Sequence, residues 1–290
     1  MTQQTNPIIK PSTTALVAVL SVLLAFCGRG YEPPTKDRVL ADSSMTWKKD
    51  SSEHFDFYFE SGRIPIQTVD LAKRTFEKKY AELLQSLEIE GRDRRLSLFM
   101  IESRGRMKRV VGLETNGIAN VEDHTVFSIF NDSVKTLGIH EFCHIVTTNQ
   151  WGKTKEVWLS EGLAVYSDNV WWGFELHPLA YHLQSRGKLV PIQRLIDNFR
   201  GSSSIVSYPE CGSFVKFIRE KYGVDILKRL WIRGTIVFEK DLNKTLPAIE
   251  QEWLQEIRRF EATGIDYEEK VASSAAVPRP RGDHGARDPR

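Results

Sequence analysis

What the chain lacks narrows the field first. Three cysteines in 290 residues cannot staple a disulfide-dense mini-domain. Lys and Arg number 40 against 38 Asp and Glu, a net charge of only +2. A dedicated nucleic-acid binder carries a basic excess, so no nucleic-acid partner is expected. No run of about 20 apolar residues is present, which excludes a polytopic membrane protein. Without internal repeats or sustained heptads the chain is neither a solenoid nor a fibre. Against these absences stand 41% hydrophobic and 10% aromatic residues, enough to bury the core of one large domain or two lobes.

The first fourteen residues are mostly polar and carry one charge, Lys10. Ala15 to Phe26 (ALVAVLSVLLAF) then forms an apolar run broken only by Ser21. Its twelve residues suit the core of a secretory signal and fall short of a membrane span. Export is therefore expected, with residues 1–27 as the signal peptide. Leu24-Ala25-Phe26-Cys27 resembles a bacterial lipobox, whose cysteine is lipidated, although Phe26 stands where Gly, Ala or Ser is usual. Ala25 and Cys27 also fit small residues before an ordinary signal-peptidase cut. The first alternative gives a lipoprotein held to the membrane of the cell envelope through Cys27, the second a periplasmic or secreted protein. Residues 28–46, Pro-containing and without apolar period, read as a tether. Residues 263–290, ending SSAAVPRPRGDHGARDPR, read as a disordered tail.

Between the ends the pattern changes once. His54 to Glu60 (HFDFYFE), Arg95 to Ile101 (RLSLFMI) and Thr125 to Phe130 (TVFSIF) predict strands, the first with one face on a core. Residues 68–87 carry Val69, Leu71, Phe76, Tyr80, Leu83 and Leu84 at helical spacing. From about residue 132 the spacing predicts helices over 132–149, 155–168, 176–186, 206–222, 224–232 and 241–261, with Gly223 among the breaks. Strands first and helices afterwards imply an α+β fold, a small β-containing lobe before a mainly helical one.

His140-Glu141-Phe142-Cys143-His144 is the most informative pentapeptide. It matches H-E-x-x-H inside a predicted helix. Residues four apart share a helix face about 6 Å apart along the axis, so both imidazoles can reach one zinc ion. Glu141, rotated by about 100°, flanks the metal as a general base for its water. Ile139, Phe142 and Val146 project from the opposite side, towards a core. Zinc needs a third ligand, and Val157 to Tyr166 (VWLSEGLAVY) is a nearly all-apolar run interrupted by Glu161. A carboxylate there is costly unless it is paired or bound to metal. Gly162 and Ala164 fit a helix that approaches the His140–His144 helix closely.

HEFCH followed by WLSEGLAVY resembles the gluzincin zinc metallopeptidases, and most of all the peptidase-MA-like branch of bacterial envelope proteins. The likeness runs loosely from HFDFYFE to about residue 260. It implies a thermolysin-like fold over residues 47–262 with one Zn²⁺ between the lobes, held by His140, His144 and Glu161, and Glu141 as the base. Thermolysin-like enzymes often place an aspartate four residues after the glutamate ligand. Here that position is Val165, and Asp168, about two turns from Glu161, is too far to replace it. Gluzincins also supply a tyrosine or histidine to the developing oxyanion. Tyr208 is the first candidate, with His177, His182 and Tyr166 as alternatives. The Thr125–Phe130 strand is a candidate cleft edge, and Trp171, Trp172 and Phe174 a candidate apolar subsite. Cys143 and Cys211 either pair in an oxidising compartment or remain two buried thiols.

The expected function is zinc-dependent hydrolysis of a peptide or protein substrate by an exported, lipid-anchored metallopeptidase. The alternative is a non-catalytic binding or scaffold domain of the cell envelope that retains the fold.

Overall fold

The computed structural model describes residues 31–91, 94–131, 137–260 and 265–275. The signal peptide, Cys27 and the end of the chain beyond residue 275 lie outside them. A small mixed sheet is followed by a mainly helical part, in keeping with an α+β arrangement. The three expected strands are β2 (Phe55–Glu60), β3 (Leu96–Ile101) and β5 (Thr125–Ile129). They run parallel, with Phe57 opposite Leu98 and Phe99 opposite Phe127. Two short strands close the edges antiparallel: β1 (Trp47–Ser51) on β2 and β4 (Gly117–Asn120) on β5. The order is β1-β2-β3-β5-β4.

Parallel strands need a crossover, and α2 (Ile66–Ser86) supplies it between β2 and β3. Its buried stripe, Val69, Ala72, Phe76, Tyr80 and Leu83, covers Phe55 and Phe57 on one face of the sheet. On the other face Tyr58, Phe99 and Phe127 stack at centroid distances of 4.7 and 5.0 Å. That face packs against α3 (Arg104–Val111) through Met107, Val110 and Val111. Every position of β2 is consequently buried, which corrects the expectation of a strand with one solvated face. The polar members of β2 are satisfied by charge: Asp56 by Lys49 and Arg95, Glu60 by Arg106.

Residues 28–46 are not a free tether from residue 31 onward. Helix α1 (Lys36–Leu40) places Val39 in the outer-face core. Asn120 Nδ2 donates to the Pro33 carbonyl at 2.8 Å, and the Tyr31 hydroxyl donates to the Val111 carbonyl. At the other end, the expected disordered tail contains a helix, α11 (Tyr267–Ala275), whose first residue is fully buried. Polar composition misled in both places, because a few contacts dock each segment: Val39, Tyr31 and Pro33 at one end, Tyr267 at the other.

The helical part begins with α4 (His140–Trp151) and α5 (Val157–Asp168). Residues 137–139 are not helical, so α4 starts later than its periodicity suggested, and residues 132–136 lie outside the described set. A two-residue-strand hairpin, β6 (Val170–Trp171) and β7 (Phe174–Glu175), leads into α6 (Leu176–Ser185) and α7 (Ile192–Asn198). The long α8 (Ser204–Arg233) breaks at Gly223, where φ is 87°, as its glycine indicated. Helices α9 (Ile236–Leu242) and α10 (Leu246–Ile257) follow, the latter capped by the Thr245 hydroxyl.

Helix α5 lies between α4 and α8. A Cβ on Gly162 would sit 2.8 Å from the Cys211 carbonyl oxygen, and one on Gly212 would sit 2.5 Å from Val165 Cγ1. The two glycines thus let α5 and α8 touch. This corrects the expectation that Gly162 admits α4. No helix among the described residues is long and apolar enough to cross a membrane.

Candidate metal centre

The order of contacts along α4 and α5 shows that they run antiparallel. Ser160 meets His144, Glu161 meets His140, and Asp168 meets Ile139. That pairing delivers one carboxylate to two imidazoles. Glu161 Oε2 lies 3.4 Å from His140 Nε2 and 3.7 Å from His144 Nε2. All three side chains are largely buried, and one ligand atom from each falls within 4.8 Å of the others.

His140 Nε2 and Glu161 Oε2 are both shut off from solvent and make no hydrogen bond. An orphaned buried carboxylate oxygen or imidazole nitrogen costs free energy unless something else satisfies it. A tetrahedral cation with bonds of about 2.1 Å holds its ligand atoms about 3.4 Å apart. The observed separations therefore suit a divalent cation that replaces the missing hydrogen bonds. The imidazole–imidazole–carboxylate donor set points the same way.

Electrostatics tie the cluster together. Burial acts to lower the His140 pKa, but Glu161, Glu141 and Asp168 outweigh it and raise the group to about 9. Burial acts to raise the Glu161 pKa, yet the two histidines hold it well below the usual carboxylate range. Glu161 and His140 thus each favour the charged form of the other.

The surroundings fix the orientation of each part. His144 Nδ1 lies 3.2 Å from Ser160 Oγ, and an N–H donating there leaves the Nε2 lone pair facing Glu161. Asp168 Oδ1 accepts from the Ile139 amide at 2.8 Å and from Lys79 Nζ at 2.7 Å. It thereby caps the start of α4, which Ile139 cannot cap with its own side chain. The chain passes Asp168 through Gly138, where a Cβ would be 2.4 Å from Asp168 Oδ2. Asp168 was set aside in the sequence as too far from Glu161 to orient a histidine. It makes no hydrogen bond to His140, but its charge reaches that residue. Antiparallel pairing, which sequence spacing alone does not reveal, puts it there.

Glu141 is buried one step round the helix, with Oε1 only 3.1 Å from where a Cβ on Gly117 would be. Gly117 opens β4, the edge of the sheet. The cleft-edge role given to the Thr125–Phe130 strand is thus corrected: β5 is paired on both sides, and β4 is the edge strand on this side of the sheet among the described residues. A four-residue strand containing Gly and Asn carries too little β pattern to be read in advance.

Tyr208 lies across the site on α8. Its ring stacks on His140 with centroids 6.4 Å apart and planes 28° apart. Burial, reinforced by Glu161 and Glu141, lifts its hydroxyl far above the ordinary phenol range, so it stays protonated and able to donate. The alternatives are engaged elsewhere. His177 meets Ser213 Oγ at 2.8 Å, and His182 meets Glu268 at 2.8 Å. The Tyr166 hydroxyl is raised by burial and lies near Arg219 and Glu220. Of the expected apolar subsite, Trp171 alone stacks on Tyr208, at 5.3 Å, while Trp172 and Phe174 pack on Tyr267. Cys143 and Cys211 are two separate buried thiols and form no bridge. Burial pushes Cys143 up to about 12 and Cys211 well above its ordinary value. The close α5–α8 packing at Gly162 is made by the Cys211 carbonyl, not its sulfur.

No protein-family model matches the chain, and no curated protein matches it significantly.

Proposed function

We propose that the protein is a zinc metallopeptidase of the gluzincin type with a thermolysin-like arrangement. The observation that carries the reading is the pair of orphaned, buried ligand atoms, His140 Nε2 and Glu161 Oε2, beside His144 and flanked by Glu141. His140, His144 and Glu161 would hold the ion. Zinc bound there supplies a Lewis acid and a water of lowered pKa.

The remaining chemistry belongs to the chain. Glu141, set against the Gly117 end of the edge strand, accepts the proton of the attacking water and returns it to the leaving amine. Tyr208, protonated and packed against His140, donates to the oxygen that becomes negative. The unpaired side of β4 offers backbone groups to an extended peptide, which would add as a further strand. Ser160 and Asp168 hold the ligand helices in register. Residues 1–27 would direct export to a bacterial cell envelope, with Cys27 as the lipid anchor of the mature protein.

Two measurements test this. The purified protein is expected to carry about one zinc per chain. Glu141→Gln should retain the metal and lose about 10²- to 10⁴-fold in peptide turnover. Full turnover in that variant rejects Glu141 as the base. A zinc-loaded chain that cleaves nothing in a broad peptide library supports a non-catalytic envelope scaffold instead.

A further inference from the structure

Pro209 lies inside α8. Lacking an N–H, it leaves the carbonyl four residues back, that of Ile205, without its helical donor. The structure fills the vacancy from 62 residues away, because the Tyr267 hydroxyl of α11 donates to the Ile205 oxygen. The same hydroxyl accepts from Trp171 Nε1 at 3.1 Å. One phenol therefore joins three elements: α11, the β6–β7 hairpin and the first turns of α8.

Those elements form the wall behind the proposed metal. Trp171 stacks on Tyr208 with planes 18° apart, and Tyr208 in turn stacks on His140. Phe199 closes the far edge of Tyr208 at 5.1 Å. Helix α11 is itself fastened twice more. Glu268 meets His182 and Lys188, each at 2.8 Å, and Lys270 Nζ lies 4.9 Å over the Phe174 ring. A short polar helix is thus held by three side chains, Tyr267, Glu268 and Lys270, which reach the hairpin, α6 and the residues after it, and the start of α8.

We infer that α11 is a clasp for the active-site wall and that Tyr267 is a positioning residue for Tyr208. It sets the phenol that would meet the oxyanion without touching substrate itself. This rests on the metallopeptidase reading, which makes Tyr208 the donor. The geometry supports the route because both hydrogen bonds of Tyr267 end on the supports of Tyr208, the stacked indole and the turn that bears it.

The test is Tyr267→Phe, which keeps the buried ring and removes only the hydroxyl. Turnover should fall about 3- to 10-fold with KM and zinc content unchanged. In a Tyr208→Phe background the same change should cost less than about 1.5-fold, because the residue it positions is gone. Equal losses in both backgrounds, or no loss in the parent, overturn the inference. An arm independent of hydrolysis uses the full chain with ¹⁵N-labelled tryptophan and ¹³C-labelled tyrosine rings, assigned through Trp171→Phe and Tyr208→Phe. Tyr267→Phe should move the Trp171 indole and the Tyr208 ring signals together. A shifted indole beside an unmoved Tyr208 ring refutes positioning. If the parent protein hydrolyses nothing, the metallopeptidase reading fails, while the spectra still decide the clasp.

Discussion

If His140, His144 and Glu161 hold a cation as proposed, its uptake should depend on pH in a defined direction. Burial disfavours the His140 imidazolium, but Glu161, Glu141 and Asp168 raise its pKa from 6.5 to about 9. Between those values His140 is protonated in the metal-free folded protein, and a cation must displace that proton. Apparent affinity therefore rises with pH, about tenfold per unit, until the curve flattens near pH 9. Glu161 adds nothing to the slope, because its carboxyl is already ionised throughout this range. From pH 6.5 to 8.5 the dissociation constant of a zinc–chelator-buffered titration should fall by about a hundredfold. Calorimetry at pH 7 in buffers of different ionisation enthalpy should count about one proton released per zinc. Asp168→Asn removes one of the charges that hold the proton and should shift the flattening point downward. An affinity that is level between pH 7 and 8.5, with no proton released, refutes this account of His140 and Glu161.

Further outcomes follow from individual residues. Glu161→Gln should bind zinc at least about 10²-fold more weakly, by equilibrium dialysis, while the protein stays folded. Gly162→Ala should gain up to about 1 kcal/mol of helix propensity but set its methyl 2.8 Å from the Cys211 carbonyl. The net effect in denaturant titration should be destabilisation by about 1–3 kcal/mol. Burial raises Glu210 from 4.5 to about 8, so the folded state favours its protonated form. Stability should fall by at most about 1.4 kcal/mol per unit as pH climbs from 4.5 to 8, and Glu210→Gln should remove that slope. A slope unchanged in the variant excludes Glu210 as its source. Cys143 and Cys211 should resist alkylation without reductant until the protein is unfolded, as read by mass spectrometry.

The grouping of His140, His144 and Glu161 was legible because it depends on spacing within helices. His140 and His144 are one turn apart, and Glu161 interrupts a run too apolar to hold a free carboxylate. Tyr208 entered only as a candidate implied by the resemblance, and it stacks on His140. What stayed hidden depends on how elements meet. Ser160 faces His144 and Asp168 faces Ile139 because α4 and α5 run antiparallel, which no local pattern encodes. Three strands were found, but the first was read as half-solvated, since the outer layer comes from Val39 and α3, in segments of polar composition. Tyr267 was overlooked for the same reason: a single aromatic in an otherwise polar stretch can be an anchor when a proline elsewhere has left a carbonyl without a donor.

The bond from the Ile139 amide to Asp168 spans 29 residues and closes α4, the intervening loop and α5 into a ring. Every proposed donor to the ion lies on that ring. The bond that closes it uses none of the three proposed ligands, unlike a zinc finger, whose shape exists only around its metal. Loading and stripping of the proposed ion should then be an exchange of occupants in a standing frame, quick to reverse with chelator and fresh salt.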